Sequence, residues 1–429
     1  MREQATTEAA VPQTAASTPE VAPSGGRGVA ALTHYLKAHG PSDVAGVAAV
    51  VAKYPADRDA MLALLHTQLG NGYVQSVTAA LAKPGPEGGG GAQPAGPVPD
   101  VEGPVTLFST PDPKGHPDFV AAIKGAKKSI FMEMYHLTDV AVVDELIKAH
   151  GRGVDVKVLL DKTSIDTNKG YAESYHKLQA AGVSTRESSA GFSIQHTKSM
   201  VVDGHTSFVT SVNLTGKADS TRDFGLILED QKVADEILAV FNSDWANSLT
   251  GKTDTPELTD PNLVWSPNDS EGKLSGLIDT ATKSVIATVE NLDDPDIQNA
   301  FIRAVGRGCH VRLIIPEVDE GPNHNYPNLK KLIAGGVDAR VMPYPASASK
   351  PYMHSKMIVV DNADVYIGSI NFSTNSTQKA RELGIILPRP AIIDQVATTF
   401  ESDWKVSIKP PDKPPVPSPT AKETAIPPD

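Results

Sequence analysis

The chain has 429 residues, 40% of them hydrophobic and 5% aromatic, which is more than one compact domain usually needs and enough for a sizeable core. A formal net charge of −12 argues against a general nucleic-acid binder, because phosphate neutralisation needs lysine and arginine, although a local basic cleft is compatible with it. A single cysteine, Cys309, excludes an intrachain disulfide and a cysteine-rich metal site, and suits a reducing compartment.

Residues 1–28 are rich in Ala, Thr, Pro and Glu and lack an apolar h-region, so they are expected to be disordered and not to form a signal peptide. No run approaches the roughly 20 apolar residues of a transmembrane segment. Any membrane contact is therefore expected to be peripheral. The default localisation is cytoplasmic, with a delivered effector as the alternative. Over 29–83 the pattern is helical. Leu32, Tyr35 and Leu36 share a face, Ser42 caps a helix through Val51, Pro55-Ala56-Asp57 opens another, and Val74, Val77 and Leu81 form a fourth face. This predicts a small helical domain that docks an unknown protein, with His34, His39 and His66 on its surface. Residues 84–104, with Gly88 to Gly91, read as a Pro/Gly linker, and 410–429 as a disordered Pro-rich tail.

Between them lies an internal repeat, 105–255 and 256–409. Ala126-Lys127-Lys128-Ser129-Ile130 answers Ala281-Thr282-Lys283-Ser284-Val285, and Phe241-Asn242-Ser243-Asp244-Trp245 answers Phe400-Glu401-Ser402-Asp403-Trp404; the offset grows from 155 to 159. In the first half, strands are predicted at Ser129–Met134, Val154–Leu160, Met200–Asp203, Ser207–Ser211 and Gly225–Leu228, with helices at Val140–His150 and Val233–Trp245. The fold expected is α/β: two similar α/β/α sandwich subdomains with mixed sheets, related by a pseudo-twofold axis. Arg152 and Arg307 are assigned to the turns after the helices, Trp245 and Trp404 to the core at helix ends, and His205 and His310 to the surface; His136 follows the first strand, with a place in the cleft as its less favoured alternative.

Each half contains one polar signature. His196, Lys198, Asp203, Ser211 and Asn213 match His354, Lys356, Asp361, Ser369 and Asn371, with 17 residues from histidine to asparagine in both. In an alternating strand, His and Lys two residues apart project to one side. Two imidazoles, two ammonium groups and two amides around one phosphorus suit phosphodiester cleavage without a metal or other cofactor. One imidazole attacks phosphorus, the other serves the leaving oxygen, and Lys, Asn and the serine hydroxyls (Ser211 and Ser369, read as substrate-binding) stabilise the phosphoryl oxygens.

These residues resemble the phospholipase D superfamily, whose motif is His-x-Lys-x4-Asp-x6-Gly-Ser-x-Asn. The second copy matches throughout, including Gly368; the first has Thr210 at the glycine position, which is expected to crowd the turn. The resemblance covers roughly 105–409 and extends to cardiolipin-synthase-like proteins. It implies a phosphohistidine intermediate with His196 as nucleophile and His354 as general acid. It also implies structural roles for Asp203, Asp361 and Gly368, and a histidine-orienting carboxylate after each motif, Glu382 and Asp223. The expected substrate is a glycerophospholipid whose headgroup is cleaved or exchanged. Tyr344, Tyr352 and Met353 lie in the longer loop before the second motif, where ordinary loop packing is the expectation and contact with acyl chains or a lipid surface the alternative; the first half offers only Phe192 there. A nuclease acting on nucleic acid and a non-catalytic scaffold are the alternatives.

Overall fold

The computed structural model describes residues 27–39, 47, 50–51, 58–69, 98–317 and 325–411. The chain divides into two compact units, Met1–Gly91 and Ala92–Asp429. In the first, helices α1 (Arg27–His39) and α2 (Arg58–Leu69) bury Leu32, Met61 and Leu65 with Val47 and Val51. The predicted helix around Val74 to Leu81 lies outside the described residues.

The second unit holds two sheets of matching order. The first half supplies β1 (Val105–Thr110), α3 (Pro117–Gly125), β2 (Ser129–Met134), α4 (Val140–Gly151), β3 (Asp155–Leu160), α5 (Lys162–Thr167), α6 (Lys169–Ala180), β4 (Ser184–Glu187), β5 (Lys198–Val202), β6 (Thr206–Thr210), β7 (Thr221–Leu228) and α7 (Gln231–Asn247). The second half supplies β8 (Leu263–Ser266), α8 (Ser270–Asp279), β9 (Ser284–Thr288), α9 (Pro295–Gly306), β10 (His310–Pro316), α10 (Asn325–Ala334), β11 (Asp338–Met342), β12 (Tyr352–Met353), β13 (Lys356–Val360), β14 (Asp364–Gly368), α11 (Thr374–Gln378), β15 (Glu382–Leu387) and α12 (Pro390–Val406). The strand orders are β1-β7-β6-β5-β2-β3-β4 and β8-β15-β14-β13-β9-β10-β11. Each sheet is mixed, with helices flanking it.

Among the described residues, the second unit has three large apolar clusters, one of which explains why the halves stay together. One backs the first sheet with Met200, Val202 and Leu146; one backs the second with Ile358, Val360 and Phe301. The third lies between the sheets and joins Val201, Val209 and Leu226 to Met357, Val359 and Ile385. Alternate residues of β5 and β13 thus serve different clusters, which is the period of two expected of a strand buried on both faces.

Several expectations need correction. Residues 98–104 belong to the second unit, not to a linker. Val101 is buried in the central cluster, Asn262 Nδ2 donates to the Pro99 carbonyl at 2.6 Å, and Arg389 binds Asp100. Arg27 and Gly28, expected to be disordered, begin α1. β7 starts four residues earlier than predicted, because Thr221–Phe224 pair with β1 and β12. Trp245 and Trp404 are only half-buried, each covered by a guanidinium: Arg186 lies 4.4 Å from the Trp245 ring and Arg340 4.2 Å from the Trp404 ring. Arg152 and Arg307 do hold their turns, by donating to the carbonyls of Ile123 in α3 and Ile278 in α8, the helix before the one that each turn follows.

Candidate active site

The motif aspartates fix where the motif strands end. Asp203 and Asp361 sit in the left-handed region, φ 54° and 52°, which aspartate tolerates better than most residues. Asp203 accepts amide bonds from Lys127, Lys128 and Ser129, and Asp361 from Thr282, Lys283 and Ser284. Each therefore clamps the turn after its own hairpin strand to the start of β2 or β9. Burial raises the Asp203 carboxyl, but the Lys128, Ser129 and Lys127 amides outweigh it and leave it below its ordinary value. Asp361 is lowered in the same way.

The glycine position differs between halves for a steric reason. A Cβ on Gly368 would lie 2.4 Å from the Gly384 Cα and 2.7 Å from the Tyr366 hydroxyl, so this crossing needs two glycines. The Tyr366 hydroxyl accepts from the Ile370 amide at 3.3 Å. In the first half Phe208 replaces that tyrosine, and the Thr210 hydroxyl accepts from the equivalent Val212 amide at 2.9 Å. Thr210 is thus compensation for a missing tyrosine hydroxyl and not simple crowding.

The histidines lie at the C-terminal edge of β2 and β9, where each sheet switches from parallel to antiparallel pairing. Each is held by the opposite half. His196 Nδ1 lies 2.6 Å from Glu382 Oε2, and His354 Nδ1 lies 2.6 Å from Asp223 Oδ1. The backbone follows the same exchange. The His196 amide donates to the Arg381 carbonyl at 2.9 Å, and the Ser355 amide to the Arg222 carbonyl at 2.8 Å. β12, just before His354, pairs with β7, while Gln195 bridges to Arg381. Such reciprocity is what a pseudo-twofold axis generates.

Two ion pairs brace this exchange. Arg381 binds Asp244 at 2.8 Å, both side chains at most 1% exposed. Arg222 binds Asp403 at 2.7 Å with side chains 13% and 5% exposed. Each arginine immediately precedes the carboxylate that holds a histidine. Burial pushes the Asp244 carboxyl up and Arg381 checks the rise. Neighbouring Glu133 is pushed well above its ordinary value by burial and by the charge of Asp244. The repeated Arg before each carboxylate, and the repeated Asp before each tryptophan, were the sequence signals for these pairs.

The remaining site residues fall as follows. Lys198 Nζ donates to the His196 carbonyl at 3.1 Å and lies 4.9 Å from the Tyr135 ring. Lys356 Nζ donates to the His354 carbonyl at 2.6 Å and to Glu290 at 3.0 Å. Asn371 accepts from the Asn291 amide at 3.1 Å, and Asn213 is half-buried after β6. The serines point inward. Ser211 donates to Asp223 at 2.6 Å, and Ser369 accepts from the Leu383 amide at 3.2 Å; both are fully buried, so these bonds position the carboxylate strands. A cavity of about 180 Å³ is lined by His196 from the first half and by Asn291, Asp293, Asn371, Ser373 and Asn375 from the second.

Tyr352 and Met353 do not form a lipid-facing surface: pairing as β12 buries both, and the Tyr352 hydroxyl donates to Glu290 at 2.9 Å. Phe192 is buried beneath the Arg381 guanidinium, and Tyr344 is half-buried. His136 is stacked between Tyr135 and Tyr171, with centroids 3.8 and 4.1 Å away. His205 and His310 are exposed. Among the described residues, no group of three or more His, Cys, Asp or Glu could hold a metal ion, and no helix is long and apolar enough to cross a membrane.

The sequence and fold have clear relatives. Phospholipase D Y of Dictyostelium discoideum is 30% identical over 114 residues, 26% of this chain and 25% of that protein. The probable cardiolipin synthase YwiE of Bacillus subtilis (strain 168) is 25% identical over 333 residues, 68% of this chain and 64% of that protein. The chain therefore spans from a quarter to just under two thirds of the length of these relatives. The crystal structure of phosphatidylserine synthase from Haemophilus influenzae Rd KW20 superposes with a TM-score of 0.58, covering 71% of this chain and 87% of that one; at 14% identity this shows a shared fold. The family model described as cardiolipin synthase, PLD-like domain, matches residues 119–245 and 274–404, more than half of the sequence. With two motif histidines held by exchanged carboxylates, this chain belongs to the cardiolipin synthase, PLD-like domain family.

Proposed function

We propose that the protein is a phosphodiesterase of phospholipase D type that cleaves or exchanges the headgroup of a glycerophospholipid through a phosphohistidine. The observation that carries this reading is the pair of buried histidines, each with a carboxylate 2.6 Å from Nδ1. A carboxylate there sets the ring's orientation and tautomer, so that Nε2 performs the chemistry. His196 is the nucleophile and His354 the acid, then the base. Lys198, Lys356, Asn213 and Asn371 offset charge on the phosphoryl oxygens. Asp223 and Glu382 act through the histidines.

The cavity beside His196 supports an alcohol headgroup over a nucleic-acid strand. Its lining supplies amides, hydroxyls and the Asp293 carboxylate, which match hydroxyl or amine groups better than a row of phosphates. The test is turnover by purified protein of phosphatidylcholine, phosphatidylglycerol and single-stranded DNA, each with and without EDTA. Phospholipid turnover that survives EDTA and disappears in H196A is expected. A higher second-order rate constant on DNA, at low and at moderate salt, would replace this reading with a nuclease. Loss in EDTA with recovery on adding a divalent ion would remove the mechanism.

A further inference from the structure

Glu290 belongs to neither motif, yet it makes the two half-sites unequal. It stands after β9 where Tyr135 stands after β2. The clamped residues Ser129 and Ser284, and the bridging residues Leu137 and Leu292, share the 155-residue offset on either side of this position. Beside His196 the site presents the Tyr135 ring, edge-on at 4.8 Å. Beside His354 it presents a carboxylate, 3% exposed, with Oε2 3.6 Å from Nε2. Tyr352 at 2.9 Å and Lys356 at 3.0 Å each hold one of its oxygens, so it has little freedom to turn away.

We propose that Glu290 is a positioning residue that divides the labour of the two histidines, keeping the covalently held phosphoryl group off His354 and on His196. This rests on the phosphohistidine reading given above. In the first step His196 Nε2 forms an N–P bond, the P–O bond to the departing alcohol breaks, and His354 gives its Nε2 proton to that oxygen. In the second, a water or alcohol oxygen bonds to phosphorus, its proton passes to His354 Nε2, and the N–P electron pair returns to His196. Negative charge stays on the phosphoryl oxygens throughout. On His354 that charge would sit beside the Glu290 carboxylate in a buried site, where like charges are weakly screened. A proton in transit through His354 meets the opposite sign. Tyr135 places no such charge beside His196.

The location of the covalent adduct tests this. Full-length protein and its E290Q variant are incubated with bis(p-nitrophenyl) phosphate, quenched in alkali, digested and mapped by mass spectrometry. Wild type is expected to carry the adduct on His196 alone. E290Q is expected to carry roughly a tenth or more of it on His354, with kcat lowered about tenfold and KM changed less than about threefold. A structural role confined to neutralising Lys356 would not move the adduct. Folded, active E290Q with the adduct on His196 alone overturns the proposal and leaves the phosphohistidine reading in place. Wild type with no adduct on either histidine overturns both. Should E290Q not fold, E290D, which retracts the carboxylate by one methylene group, is read by the same two outcomes.

Discussion

Replacing Asp244 with asparagine removes the charge that pairs with Arg381 while nearly preserving volume. The perturbation is severe on paper, because both side chains are at most 1% exposed and the guanidinium would lose its counter-ion inside the protein. Breaking a buried pair from one side costs about 3–5 kcal/mol. The lower end is expected here. Glu133 lies in the same field, its carboxyl pushed well above its ordinary value by burial and by the charge of Asp244, so removing that charge makes Glu133 easier to ionise beside Arg381. For a unit the size of Ala92–Asp429 this corresponds to a fall in Tm on the order of 6 °C. The mirror variant D403N should cost less, because Arg222 and Asp403 are 13% and 5% exposed and water can partly replace the pairing. The double variant D244N/E133Q should exceed the sum of its parts, since it leaves Arg381 without either acid. Calorimetry on the full-length protein, with turnover measured in parallel, decides the matter. If D244N melts within about 1 °C of wild type and retains full activity, Arg381 does not brace the His196 side of the site.

Three further outcomes are expected. T210G leaves the Val212 amide without its 2.9 Å acceptor and should cost about 1–3 kcal/mol; adding F208Y should recover part of it by restoring the hydroxyl that the second half takes from Tyr366, and denaturant melts of the two variants will show whether it does. Glu133 has its folded pKa raised above the unfolded value, so its protonated form stabilises below the ordinary glutamate range, near 4.3, and stability falls as pH rises toward the folded value. E133Q mimics that protonated form, and its Tm relative to wild type should therefore climb between pH 5 and pH 9; a pH-independent difference would contradict the assignment. Removing residues 1–91 should leave turnover within about twofold, whereas removing 1–104 should lower Tm and activity together, because Val101 and the Pro99 carbonyl are packed into the second unit.

Much of this was legible in the sequence because it was written twice. Spacing alone matched His196, Lys198 and Asn213 to His354, Lys356 and Asn371, and the duplicated pattern foretold two similar subdomains with mixed sheets; the strand order within them was not foretold. The exchange was not legible. Nothing in a linear motif says that Asp223 reaches His354 while Glu382 reaches His196, since that depends on how the two sheets stack. The packing of Tyr352 and Met353 was anticipated only as loop packing, since nothing in the sequence before the motif shows β12 pairing with β7; that pairing removes the lipid-facing alternative for both. Glu290 was hidden by its singularity. Only carrying the repeat five residues beyond Ile130 and Val285 sets it against Tyr135, where the halves disagree.

That disagreement has a genetic consequence. In an assembly of two identical half-length chains, every substitution is inherited by both sides at once, so a residue that suits one histidine is imposed on the other. Here the exchanged carboxylates come from one continuous polypeptide, and each half carries its own codons. Tyr135 can drift while Glu290 is retained, and Phe208 with Thr210 can settle into a solution different from Tyr366 with Gly368. Reciprocal dependence on Asp223 and Glu382 keeps the halves together, and separate inheritance lets them specialise.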